Sequence, residues 1–208
     1  MCTAGGSFYI STEGKPPLAR LREIAAAKQH LFDYDPLSRI WHAHVSDATE
    51  LWTLLAERVP QFLASGFVKL VVIDSIAAVL RGEFANDEDA MSHRSEWYFG
   101  MSNMLKMYSD SFDVMFVLAN QVSYDVKTSL LKPALGLAWS YCVNQRFVLH
   151  FEEESQNDDQ VVNSDMTNAS VRIRRPRRRY ITVAFSPYRN DGPLPISCIV
   201  TSKGFEGV

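Results

Sequence analysis

Three apolar runs in this chain stop at a polar side chain, and those three stops are where chemistry would sit. Lys69-Leu-Val-Val-Ile-Asp-Ser75 is a continuous apolar stretch ended by Asp74 and Ser75. Continuous runs suit strands of a parallel sheet covered on both faces by helices. Asp74 then lies at the carboxyl end of the sheet, where open α/β folds bind ligands. In phosphate-binding α/β proteins an Asp in this place helps hold magnesium beside a nucleotide. The plainer role for such an Asp is to cap the next helix. Glu13 follows a second strand, Ser7-Phe-Tyr-Ile10, on a strand-to-helix turn. It is either a second carboxylate on the same edge or an acid favoured by a helix N-terminus. A third run, Asp113-Val-Met-Phe-Val-Leu-Ala-Asn-Gln-Val122, brings Asn120 and Gln121 to that edge.

Other candidates are weaker. His42 and His44 alternate along Arg39-Ile-Trp-His-Ala-His-Val45 and so share one face of a strand. Two imidazoles could ligate a metal, but no nearby Cys or third His completes a set. Arg174-Arg-Pro-Arg-Arg-Arg179 reads as a nuclear address or a phosphate contact. It reads equally as a solvated hairpin tip balanced by the acidic stretch Glu152–Asp165.

The elements that must position these groups alternate. Pro16 and Pro17 open a helix with Leu18, Leu21, Ile24 and Ala25 at helical spacing. Asp47-Ala-Thr-Glu50 is a capping box ahead of a helix carrying Leu51, Leu54, Leu55, Val59, Phe62 and Leu63. Ser65-Gly66 ends it. Arg81 to Arg94 reads as a long polar loop, and a helix with Trp97, Met101, Met104, Leu105, Tyr108 and Phe112 inside follows. Ser123 to Pro133 reads as a second loop, with Lys127 and Lys132. Strand and helix in alternation imply right-handed crossovers and a largely parallel sheet. Strands at 144–151, 180–185 and 196–201 add an antiparallel end.

With 208 residues the chain is long enough for one good core. Its composition, 47% hydrophobic and 22% charged, is that of an ordinary globular domain. A net charge of -3 gives no global attraction to nucleic acid or membrane, so any such binding is local. Cys2, Cys142 and Cys198 are odd in number and widely spaced, which suits reduced thiols in a cytosolic or nuclear protein. No apolar run reaches the length of a membrane span.

Phe8-Tyr-Ile-Ser-Thr-Glu-Gly14, Leu70-Val-Val-Ile-Asp-Ser75 and Ala119-Asn-Gln-Val122 stand in an order and spacing that resembles the RecA-like recombinase family. Within it the chain is most similar to the eukaryotic recombinase paralogues. Pro133-Ala-Leu-Gly-Leu-Ala-Trp139 and Asn144-Gln-Arg146 resemble the segment after the family's second DNA loop. Ser186-Pro187 and Ile199-Val-Thr-Ser-Lys-Gly-Phe-Glu-Gly207 resemble its closing hairpin.

The resemblance implies an α/β fold: a RecA-like three-layer core, a mostly parallel sheet and a C-terminal antiparallel extension, without the phosphate-loop strand. Residues 1–208 would form one partial ATPase core, with 152–179 as a charged flexible hairpin insertion. Glu13 would activate the attacking water. Asp74, with Ser75, would hold magnesium, and Gln121 would sense the γ-phosphate of ATP. Arg81, Arg94, Lys127 and Lys132 would face single-stranded or junction DNA. The protein would work in the nucleus, in DNA repair by homologous recombination, beside a sister paralogue or a recombinase filament.

One departure bears on all of this. The family's Gly-x-x-x-x-Gly-Lys-Ser/Thr phosphate loop does not occur in these residues; the one Gly-Lys pair, Gly14-Lys15, is followed by Pro16. The expectation is therefore a truncated product or isoform with impaired ATP hydrolysis. The first DNA-facing segment is also acidic, with Glu83, Asp87, Glu88 and Asp89 against Arg81 and Arg94, which repels phosphate. An alternative is a non-catalytic adaptor that docks on a sister paralogue. An unrelated Rossmann-type binder is disfavoured because no Gly-x-Gly-x-x-Gly turn occurs.

Overall fold

The structure, a computed structural model, describes residues 5–81, 88–125, 130–151, 161–163, 170–172, 178–188 and 195–207. The chain divides into two units, Met1–Arg22 with Leu31–Val143 and Glu23–His30 with Asn144–Val208. The boundary falls inside helix α1 (Leu18–Lys28).

The first unit carries a four-stranded, all-parallel sheet of β1 (Gly6–Ser11), β2 (Ile40–His44), β3 (Val68–Asp74) and β4 (Met115–Leu118). Its order is β2-β1-β3-β4. Register sets which side chains share a face, because the strand period is two. Phe8 and Ile10 of β1 pair with Val71 and Ile73 of β3, and all four are buried. They pack on α2 (Ala48–Thr53), α3 (Val59–Leu63), α4 (Ile76–Arg81) and α5 (Glu88–Phe112) through Leu51, Leu55, Leu63, Ile76, Tyr98 and Met101.

The opposite face is less covered. Tyr9, Leu70 and Val72 are half-buried, and Met115 and Val117 on β4 are 64% and 45% exposed. The run from Asp113 to Val122 is thus not a strand buried on both sides: β4 spans four residues at the end of the sheet order. Ala119 N donates to Ile73 O at 2.9 Å, and past that bond the chain leaves the sheet.

Local chemistry explains the helix boundaries. Asp47 caps α2 by accepting from Glu50 N at 2.7 Å, while Glu50 reaches back to Ser46 N at 2.8 Å, the reciprocal pattern of a capping box shifted by one residue. Between α2 and α3 the helix widens into a π turn, Leu54–Arg58, where Val59 N donates to Leu54 O. Pro60 sits just beyond. It has no N–H for Ala56 O, and its ring would clash there in a regular helix; the wider turn accommodates both. Gly66 ends the helix at φ +69°, a region that favours glycine.

Two expected loops are shorter than the sequence implied. α5 starts at Glu88, so Arg94 lies on a helix and not in the polar loop expected from Arg81 to Arg94. Residues 88–94 mix good helix formers (Glu88, Ala90, Met91, Arg94) with poorer ones (Asp89, Ser92, His93) and have no apolar stripe, which makes them resemble loop. The second loop is largely an antiparallel hairpin, β5 (Val122–Asp125) with β6 (Leu130–Pro133). A short helix, α6 (Gly136–Ser140), follows.

The second unit is built on an antiparallel sheet of β7 (Arg146–Phe151), β10 (Arg179–Phe185), β11 (Ile196–Thr201) and β12 (Gly204–Gly207), ordered β12-β11-β10-β7. This is the C-terminal antiparallel extension. Within the charged insertion, β8 (Val161–Asn163) pairs antiparallel with β9 (Ser170–Arg172). The rest of 152–177 lies outside the described residues.

Candidate functional site at the carboxyl edge of the parallel sheet

Parallel strands all present their carboxyl ends on one edge, so Glu13, Ser75 and Gln121 meet beside Asp74 although they are far apart in sequence. Glu13 Oε1 accepts from Ser75 Oγ and from Gln121 Nε2. Both bonds fall on one oxygen, which leaves Oε2 to meet water. An exposed carboxylate held this way is oriented but accessible, the state a water-activating base needs.

Asp74 is held differently. Its carbonyl accepts from Thr12 N at 2.8 Å, and Ser11 is its register partner on β1. Thr12 Oγ1 donates to Ser75 O at 2.7 Å and accepts from Ser75 N at 2.8 Å. This pair is buried and replaces sheet bonds just where the strand ends. The Asp74 side chain is exposed, and the Tyr9 hydroxyl donates to its Oδ2. Burial, then the hydrogen bond to Asp74 and its charge, push the Tyr9 phenol well above its usual range. The phenol therefore stays protonated and acts as a donor.

The two histidines converge on Ser11. His42 Nε2 lies 3.0 Å and His44 Nδ1 3.2 Å from Ser11 Oγ. Among the described residues no three metal-ligating side chains stand together.

The basic residues scatter. Arg81 Nη2 donates to Ser123 Oγ at 3.0 Å, linking the end of α4 to β5. Lys132 stands opposite Ser123 on β6. Arg94 is half-buried on α5, and its Nε is buried without a hydrogen-bond partner. Lys127 lies outside the described residues, as do 173–177 of the arginine run. The hairpin is tied to the site's edge: Asn120 Nδ2 donates to Ala134 O at 3.0 Å and Ala134 N to Gln121 O at 2.8 Å. An open cleft of about 430 Å³ runs along α2, lined by His44, Asp47, Glu50, Glu57 and Arg58 among others; Glu13, Asp74 and Gln121 are not part of it.

The oxygens on the edge are hard: Asp74 Oδ1, exposed and not taken by Tyr9, and the Ser75 hydroxyl, which is buried and donates to Glu13. One carboxylate beside a hydroxyl fits a magnesium ion that arrives with phosphates, since magnesium keeps waters and takes few protein ligands. Asp74 would hold that ion and Ser75 would lie beside it; the ion would supply charge neutralisation for phosphoryl oxygens. The triphosphate itself fits less well. It needs a cradle of backbone N–H groups and a Lys, and these 208 residues contain no such run. No step of ATP hydrolysis can be derived from the side chains present.

Sequence reasoning puts Glu13, Asp74, Ser75 and Gln121 on this edge, where the structure has them. It passes over Thr12, and over Tyr9 and Ser11, whose signal is register: Tyr9 and Ser11 stand opposite His42 and His44 on β2, and Ser11 opposite Asp74 on β3.

Comparison with known proteins agrees with this geometry. The family model described as Rad51 matches residues 1–136. The DNA repair protein XRCC3 homolog of Arabidopsis thaliana is 28% identical over 214 residues, covering 88% of this chain and 69% of that protein. DNA repair protein XRCC3 of Bos taurus is 30% identical over 219 residues, covering 98% of this chain and 58% of that protein. DNA repair protein RAD51 homolog 2 of Mus musculus is 26% identical over 192 residues, covering 78% and 55%. The chain thus spans little more than half the length of the last two. From the ordered strands, the shared sheet edge and these matches together, the chain is a member of the Rad51 family, with a RecA-like α/β core.

Proposed function

We propose that the protein serves DNA repair by homologous recombination, as a RecA-like recombinase paralogue similar to XRCC3. The observation that carries this reading is the meeting of Glu13, Ser75 and Gln121 beside Asp74 on one sheet edge, in a chain that belongs to the Rad51 family. On this reading it acts in the nucleus, in complex with a sister recombinase paralogue or a recombinase filament. The edge would face ATP and Mg2+ as the family's does, although these residues carry no phosphate cradle of their own, and single-stranded or junction DNA lies against Arg81, Lys127, Lys132 and the β5–β6 hairpin. Arg94, on its helix, is a poorer DNA contact.

A second reading is favoured by one fact, the lack of a Gly-x-x-x-x-Gly-Lys run in these residues. Here the protein is a non-catalytic adaptor: the Glu13–Asp74–Gln121 edge is a relic, and the fold serves only as a docking surface for a sister paralogue. Mg2+-ATP binding and turnover by the purified chain, with and without DNA, separate the two. The expected result is turnover near background. Tight binding together with turnover, both lost in Asp74→Ala, overturns that expectation and makes the chain an ATPase. In repair-deficient cells, complementation that survives Glu13→Gln and Asp74→Ala selects the adaptor. Loss of complementation with both folded variants selects a working nucleotide edge.

A further inference from the structure

The backbone of Asp74 is held from the β1 side, by Ser11 in register and by Thr12 through Asp74 O and Ser75 N. None of these bonds fixes the carboxylate. An Asp side chain has two free torsions, and an exposed one samples several rotamers unless something holds it. The Tyr9 hydroxyl does hold it, at Oδ2.

Tyr9 reaches Asp74 across the sheet on a diagonal. Its direct partner on β3 is Val72, two residues short of Asp74, and a long aromatic side chain spans such diagonals. The ring is itself fixed. It stacks on His42, with centroids 6.2 Å apart and 29° between planes. His42 is fixed by Ser11 Oγ at 3.0 Å. The proton positions follow from the contacts. His44 Nδ1 lies 3.1 Å from Ser11 O, a carbonyl that can only accept, so His44 Nδ1 carries the hydrogen. That N–H also faces Ser11 Oγ at 3.2 Å. The Ser11 hydroxyl hydrogen is then free to point at His42 Nε2, and a directed bond leaves the imidazole one orientation. A train of four contacts runs from His44 through Ser11, His42 and Tyr9 to Asp74, all on one face of the sheet.

We propose that Tyr9 is the positioning residue for the Asp74 carboxylate: by occupying Oδ2 it turns Oδ1 outward, toward the place a hydrated cation would take. The orientation of Asp74 stands on the geometry of this face alone. Its use toward a cation rests on the reading of Asp74 as the magnesium-side carboxylate.

The test is Tyr9→Phe in the full chain, which keeps the ring on His42 and removes the donor. Three-bond couplings of the Asp74 side chain, measured by NMR, read its rotamer directly. A single rotamer in the wild type and averaged couplings in Tyr9→Phe, at unchanged melting temperature, are the expected result. Unchanged couplings in the variant overturn the proposal. His42→Ala keeps the phenol but frees the ring, and intermediate averaging is expected; wild-type couplings there remove His42 from the train. The cation is probed separately, with Mn2+ alone followed by electron paramagnetic resonance. Tyr9→Phe is expected to weaken Mn2+ binding about five- to tenfold, the scale of one ordinary hydrogen bond. If Asp74→Asn binds Mn2+ as the wild type does, the magnesium reading of Asp74 fails, while the couplings still decide the role of Tyr9.

Discussion

The two faces of the parallel sheet are made from the same strands by alternate residues, yet they differ in kind. Phe8, Ile10, Val71 and Ile73 form a dry face packed under helices. Tyr9, Ser11, His42, His44 and Asp74 form a wet face of linked polar groups, which gives way to exposed Met115 and Val117 on β4. One face is buried against helices and the other holds polar side chains in place through their contacts with one another. The difference teaches that in this chain stability and site geometry can be altered almost independently, one residue apart.

The sharpest break of that comparison is Ile73→Ala on the dry face. Ile73 is fully buried, so the substitution should cost about 2–5 kcal/mol in denaturant unfolding while leaving Tyr9 and Asp74 in place. Next is Thr12→Val, at the seam between the faces. It strands Ser75 N and Ser75 O without a partner and should cost about 1–3 kcal/mol; an unchanged denaturant midpoint would show that water replaces the hydroxyl.

Alkaline titration then separates the faces spectroscopically. Tyr98 and Tyr108 on the dry face are raised by burial, and Tyr9 on the wet face by burial and then by Asp74. A phenol whose folded pKa exceeds its unfolded value contributes stability that is full below about pH 10 and is lost as pH rises further. Absorbance at alkaline pH should show these three ionising late or only on unfolding. Tyr9→Phe should remove one late tyrosine without changing the other two. The smallest effect is expected for Met115→Lys, on the open side of β4, within about 0.5 kcal/mol of wild type. A larger loss would mean that this side is covered in solution.

Much of this was legible in the sequence. The carboxyl-edge trio could be read because parallel strands end on one side whatever their register, so Glu13, Asp74 and Gln121 needed only the apolar runs to be recognised. The wet face could not be read, because Tyr9, Ser11, His42 and His44 become neighbours only through a register that no local signal fixes. The start of α5 was hidden for a related reason: Glu88 to Arg94 has helical propensity without an apolar stripe. The β5–β6 hairpin was hidden by its mixed strands, in which Ser123 faces Lys132 while Tyr124 faces Leu131.

The π turn ahead of Pro60 ties two features of the sequence to each other. Deleting Ala56 alone would tighten the turn and drive the pyrrolidine ring into a carbonyl one turn back. Replacing Pro60 alone would keep an extra residue with no steric need for it. Made together, the two changes would give an ordinary helix that still turns Leu51, Leu55 and Leu63 inward, so the double variant should be healthier than the deletion by itself.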